Sequence, residues 1–140
     1  MVKYLVINKE EREVNGVKFP VWYGFRQHKD DNGQYVDEGL FPATDKEGKS
    51  VMKAKSTKVV PVGDIGKQLD NIGYPLRLTL DENDKCADGK SSFSIDIDKK
   101  KDGTIKLDKN GKQHAVIYIR KITQVYKLAP RMTLDDIDNL

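Results

Sequence analysis

Basic and aromatic side chains alternate with apolar ones along one extended segment, a pattern suited to contact with nucleic acid. In the segment 17–28 the odd positions from Val17 to Phe25 are apolar, whereas Lys18, Trp22 and Arg26 occupy even positions. Because successive side chains of a strand point to opposite faces, this period predicts a half-buried strand with its odd face inward. The indole would then stack on nucleobases while the two cations neutralise phosphates. The alternative is that Trp22 packs beneath a loop or at a dimer interface.

Three further segments offer outward cations or aromatic rings. Lys53 and Lys55 share one face of the extended run 51–60, and Arg77 lies outward on the predicted strand 74–80. Tyr118 and Arg120 share the even face of the long run 114–128. We expect these positions to assemble into one basic face with aromatic platforms. The predicted nucleic-acid-binding set is Lys18, Trp22, Arg26, Lys53, Lys55, Arg77, Tyr118 and Arg120.

Motifs for catalysis or metal binding are missing from the sequence. The two histidines, His28 and His114, lie in no paired-histidine pattern, and there is neither a nucleophile elbow nor a phosphate-binding glycine loop. Aspartates near 96–103 lack the spacing of a calcium loop, because three lysines interrupt them. The single cysteine, Cys86, permits neither an internal disulfide nor a cysteine-based zinc site. We therefore expect no enzyme activity, no metal and no cofactor.

The composition fits one intracellular domain with a charge-rich surface. The chain has 140 residues, of which 34% are charged, and its net charge is +3. The last ten residues carry one base and three acids, so the preceding 130 carry a net +5, which favours an anionic partner. No apolar run is long enough to span a membrane, and the N-terminal apolar stretch is too short for a signal peptide. We expect a soluble cytoplasmic protein.

The order of predicted elements is three strands, a helix, a strand, a hairpin and a final strand. The dipeptide Asn15-Gly16 predicts a type I′ turn between the first two strands. Apolar residues at helical spacing over 62–72 predict a helix that Gly73 ends. The segment 91–107 reads as an extra hairpin before the last strand. This order predicts a mainly all-β chain, a five-stranded OB-type Greek-key barrel with one short helix.

The C-terminal segment differs in character from the rest. We expect residues 1–128 to form the folded domain and 129–140 to form an acidic tail. Its end resembles the C-terminal tip of bacterial single-stranded-DNA-binding proteins, which docks replication partners, although a leucine stands where their final phenylalanine would be and no proline precedes it. The resemblance implies partner binding through Asp135, Asp136, Asp138 and Leu140. The alternative is an ordinary frayed terminus or a short helix.

The body, about 1–128, resembles small OB-fold single-stranded-DNA-binding proteins encoded by phages, most of all those of phages infecting Gram-positive bacteria. The stretch Tyr74–Glu82 is also similar to a strand of filamentous-phage helix-destabilising proteins. The resemblance implies sequence-independent binding and protection of single-stranded DNA in phage replication or recombination, by a homodimer without a cofactor. The loop 29–49 and the insert 91–107 are long for that family. Two alternatives stay open: a β-barrel protein-interaction module, such as a phage structural or inhibitor protein, and an RNA-binding OB domain.

Overall fold

A computed structural model describes residues 3–129, which form ten β-strands and one short helix. The mainly β character predicted from the sequence is therefore confirmed. No helix in this range is long and apolar enough to cross a membrane. The elements are β1 (Lys3–Val14), β2 (Val17–Lys29), β3 (Tyr35–Asp37), β4 (Leu40–Thr44), β5 (Ser50–Ala54), β6 (Thr57–Pro61), α1 (Ile65–Ile72), β7 (Leu76–Leu80), β8 (Phe93–Ile97), β9 (Ala115–Ile119) and β10 (Val125–Lys127).

Eight strands form the main sheet, and the two others form a separate hairpin. The order across the main sheet is β10-β7-β1-β2-β6-β9-β8, with β3 added to β2, while β4 pairs only with β5. Every pairing is antiparallel except that of β6 with β9. Within residues 3–129, no pairing joins the edge strands β8 and β10, so hydrogen bonds do not close the sheet into a barrel.

The predicted type I′ turn between the first two strands is confirmed. Asn15 and Gly16 have φ of 53° and 81°, the positive values that a type I′ turn requires at both central positions. This two-residue turn sets Val14 opposite Val17 and fixes the pairing of all the residues behind it. Residues 10–20 are all exposed, so the tip of the hairpin extends beyond the core as a solvated ribbon.

The core lies between one face of the main sheet and the helix. Alternate residues of β1 and β7, together with β6, β9 and α1, supply its buried side chains, each worth about 1.5–3 kcal/mol relative to exposure. The predicted helix is confirmed but begins at Ile65, and Gly73 ends it with φ of 96° while donating its N–H to Leu69 O. The core residues are Leu5, Ile7, Val59, Ile65, Leu69, Leu76, Leu78, Leu80, Ile117 and Ile119.

The predicted facing of β2 is wrong. Ile7, which is fully buried, lies directly opposite Gly24, so the even side of β2 faces the core. Gly24 is needed at this position, because a Cβ there would lie 2.6 Å from Val6 O. The odd side faces away from the helix: Val17 is 64% exposed, and Phe25 is only half-buried.

Two runs predicted as single strands are each divided between two places. The run 51–60 contains β5, in the separate hairpin, and then β6, in the main sheet. The run 114–128 contains β9 and then β10, which pairs with β7 on the other side of β1. The predicted hairpin 91–107 is also wrong in its pairing, since β8 pairs with β9. Within the insert, Ile105 and Leu107 form only isolated bridges.

One turn geometry recurs five times in the loops. In each copy the first residue donates its N–H to the fifth carbonyl and accepts from the fourth N–H, and the fourth residue is a glycine with positive φ. This is the three-residue hairpin loop that places glycine in a bulge. The copies are Asp30–Gln34, Asp45–Lys49, Cys86–Lys90, Lys100–Thr104 and Asp108–Lys112.

Candidate nucleic-acid interface

The side of the main sheet opposite the helix collects most of the tyrosines. Because Leu5 and Ile7 face the core, their neighbours Tyr4, Val6 and Asn8 lie on the other side, which we call the outer face. Residues directly opposite each other on paired strands point to the same side of the sheet, so the strand register identifies the outer-face residues of the other strands. Five of the six tyrosines lie on it: Tyr4, Tyr23, Tyr35, Tyr118 and Tyr126.

At one part of the outer face, cations and rings are in direct contact. Tyr4 and Tyr35 meet edge to face, with centroids 5.0 Å apart. The Arg77 guanidinium carbon lies 3.5 Å from the Tyr35 ring centre, and Lys29 Nζ lies 5.5 and 5.2 Å from the two ring centres. Flat rings beside cations are the groups that contact bases and phosphates in single-strand binders.

A buried amide orients the arginine of this cluster. Gln27 is only 4% exposed, and its Oε1 accepts a hydrogen bond of 2.9 Å from Arg77 Nε. Its Nε2 donates to Asp37 Oδ1 at 2.7 Å, which fixes which end of the amide faces the arginine. The guanidinium is therefore held against Tyr35, so a planar cation is preorganised on the sheet surface.

Further rings and cations extend the outer face on both sides of this cluster. Tyr126, 59% exposed, lies opposite Arg77 at the edge strand. Tyr23 lies opposite Lys58, which also approaches Asp98 at 3.8 Å. Lys29, Lys58, Arg77 and Arg120 bring four positive charges to the face, against three carboxylates from Asp37, Asp96 and Asp98. The face is aromatic with a modest positive excess.

The predicted site residues Arg77, Tyr118 and Arg120 lie on the outer face. Tyr118 is half-buried and opposite Ser94. Arg120 donates from Nη2 to Ser94 Oγ at 2.9 Å and from Nη1 to Ser91 O at 3.4 Å, so it ties β9 to the β8 side of the sheet. Of these three residues, Arg77 is the one whose guanidinium is both stacked on a tyrosine ring and held in a fixed orientation.

Lys18, Trp22 and Arg26 lie on the opposite side of β2, so the prediction that they share a face with Arg77 is wrong. Trp22 packs against the core, and a Cβ at Gly66 of the helix would lie 3.2 Å from its ring. Lys18 is on the solvated ribbon, 3.9 Å from Glu11, whereas Arg26 is exposed eight residues further along the strand, opposite Leu5. The structure supports the alternative that Trp22 is a packing residue.

Polar groups at the helix fix the position of the indole. Trp22 Nε1–H donates to the Tyr74 hydroxyl at 2.7 Å, and that hydroxyl donates to Asp70 Oδ1 at 2.7 Å. Lys9 Nζ donates to Asp70 at 2.9 Å and lies 4.9 Å from the Trp22 ring centre. The hydrogen bond from Lys9 lowers the pKa of Asp70, whereas burial raises the pKa of Tyr74. Tyr74 therefore stays a neutral donor.

The remaining predicted residues lie elsewhere. Lys53 and Lys55 are exposed and belong to β5 and the residues after it, in the separate hairpin, so they do not join the sheet face. The acidic residues Asp135, Asp136 and Asp138, with Leu140, lie outside the described residues. The sequence interpretation missed Tyr4, Tyr23, Gln27, Lys29 and Lys58 on the outer face.

No group of three or more possible metal ligands comes together within residues 3–129. Comparison of the chain with protein-family models, with curated proteins and with solved structures gives no match.

Proposed function

We propose that the chain binds single-stranded DNA without sequence specificity through the outer face and protects it. The observation that carries the proposal is the placement of five of six tyrosines on one face, with Arg77 held against Tyr35. Stacking on rings tolerates any base, because every base has a flat face, and cations follow the phosphates. Roles in phage replication or recombination, and a homodimer, rest on the family resemblance alone.

The strand order supports an OB-type fold as part of the proposal. Strands β7, β1, β2 and β6 lie side by side, the spatial order of a Greek key in which the fourth strand returns beside the first. The helix lies between β6 and β7, where the sequence predicts it between the third and fourth main strands. In an OB fold the face of the second and third strands binds oligonucleotides, and here those strands carry Tyr23 and Lys58.

A protein-interaction module is the second candidate, favoured by exposed apolar side chains on the ribbon and on the separate hairpin. Val14 and Val17 on the ribbon are 56% and 64% exposed, and Met52 on the separate hairpin is 59% exposed. Such side chains suit a protein partner better than a polyanion. An RNA-binding domain would use the same outer face. Competition between DNA and RNA oligomers distinguishes RNA binding from DNA binding.

The test compares salt dependence between two pairs of lysines. We expect a labelled thymidine oligomer to bind more tightly than a duplex of equal length. Replacing Lys29 and Lys58 with alanine should flatten the slope of log affinity against log salt by about 1.4, at roughly 0.7 per phosphate contact. The measurement is fluorescence anisotropy over a range of salt concentrations.

The matched control replaces Lys53 and Lys55, which carry the same charges on the separate hairpin. We expect this control to leave the slope unchanged. If replacing the control pair flattens the salt slope and replacing Lys29 and Lys58 does not, the phosphate contacts lie on the separate hairpin and not on the outer face. Absence of any single-strand binding would favour the protein-interaction module.

A further inference from the structure

A cavity of about 400 Å³ opens in the outer face beside Arg77. Its volume lies within the range of small-molecule sites. Its walls combine apolar side chains with two amides and the guanidinium, and they come from β1, β2, β7 and the residues flanking β7 and β10. The lining residues are Val6, Asn8, Phe25, Gln27, Pro75, Arg77, Leu128 and Ala129.

The amides in this cavity differ in what they already bind. The Gln27 amide is engaged at both ends, by Asp37 and Arg77. Asn8 is half-buried, yet no hydrogen bond within residues 3–129 reaches its side-chain amide. A half-buried amide keeps one acceptor and two donors to offer to a ligand. Asn8 is therefore the polar group of the cavity with its full hydrogen-bonding capacity available.

We propose that this cavity takes one unstacked nucleobase of the bound strand, with the Asn8 amide hydrogen-bonded to the base edge. The inference rests on the proposed single-strand binding by the outer face. Apolar walls such as Val6 and Pro75 match the flat faces of a base, and an amide can donate and accept side by side as base edges do. The surrounding tyrosines stack any base, so the Asn8 cavity gives the site a base preference at one position.

The test asks whether the effect of one substitution depends on the base. Affinities for homo-oligomers of thymidine, deoxycytidine and deoxyadenosine, each of about 12 nucleotides, are measured for the wild type and for Asn8→Ala. Because the free oligomer is the same for both proteins, its own base stacking cancels when the two affinities are compared. We expect a loss of about three- to tenfold for the preferred base and less than about twofold for the least preferred.

Asn110→Ala is the matched control, since Asn110 is exposed at the tip of a turn. It should leave all three affinities unchanged, and thermal melts should show that both variants fold. An equal effect of Asn8→Ala on all three oligomers, or none on any, overturns the base cavity while leaving single-strand binding intact. If the wild type binds none of the oligomers, the base cavity and the proposed function both fail.

Discussion

Replacing Trp22 with alanine should lower the free energy of unfolding by about 3 kcal/mol, at the lower end of the range for aromatic truncations in a core. The indole packs between the sheet and α1, and its N–H donates to the Tyr74 hydroxyl. Removing it leaves a void beside Gly66 and deprives the Tyr74 hydroxyl of a partner. Urea denaturation measures the change. Unfolding is followed by circular dichroism, because Trp22 is the only tryptophan and its replacement removes the tryptophan fluorescence signal.

Two variants control this experiment. Trp22→Phe keeps a ring but loses the donor, so we expect a smaller loss of about 1 kcal/mol from the hydrogen bond, plus any packing difference. Val17→Ala, on the same strand but 64% exposed, should change stability by no more than about 0.5 kcal/mol. A Trp22→Ala protein as stable as the parent but weakened in DNA binding would restore the sequence interpretation of Trp22 as a base-stacking residue.

Replacing both Tyr35 and Tyr126 with alanine should weaken single-strand binding by about 2–6 kcal/mol, from roughly 1–3 kcal/mol per stacked base. The two rings lie on either side of Arg77, one in contact with it and one opposite it in the sheet. Both are exposed, by 37% and 59%, so the fold should tolerate their loss. Anisotropy titration with a thymidine oligomer measures the effect.

The corresponding double phenylalanine variant keeps both rings and removes only the hydroxyls. It should bind within a few-fold of the wild type, because stacking needs the ring and not the hydroxyl. Equal weakening by the alanine and phenylalanine pairs would show that the hydroxyls and not the rings make the contact. Unchanged affinity in the alanine pair would mean that bases do not stack at this part of the outer face.

The first hairpin turn, the helix and the outward position of Arg77 on β7 were predictable from the sequence, because each depends on local pattern. The sequence pattern failed on the facing of β2, where both sides carry apolar residues. The register supplies the missing information: a two-residue turn at Asn15-Gly16 sets Ile7 opposite Gly24. Since Ile7 and Leu5 are aliphatic and Gly24 makes room for the close approach, the even side had to face inward.

The other failures concern partners that are distant in sequence. Nothing local distinguishes β9 from β10 within one run of β-branched and aromatic residues, yet they lie on opposite sides of β1. Tyr35 follows a turn-rich loop, and only its pairing with Lys29 places it beside Arg77. The outer face is thus assembled from long-range pairings, which depend on tertiary packing more than on any segment's own pattern.

Photo-crosslinking of the protein to a thymidine oligomer, followed by mass spectrometry of the attached peptides, shows which side chains lie against the bound bases. If the outer face binds the strand, we expect attachment to outer-face residues, foremost Tyr35 and Tyr126, and suppression of that attachment by excess unlabelled oligomer. Attachment confined to the separate hairpin around Lys53, or to the ribbon around Lys18, would contradict binding by the outer face.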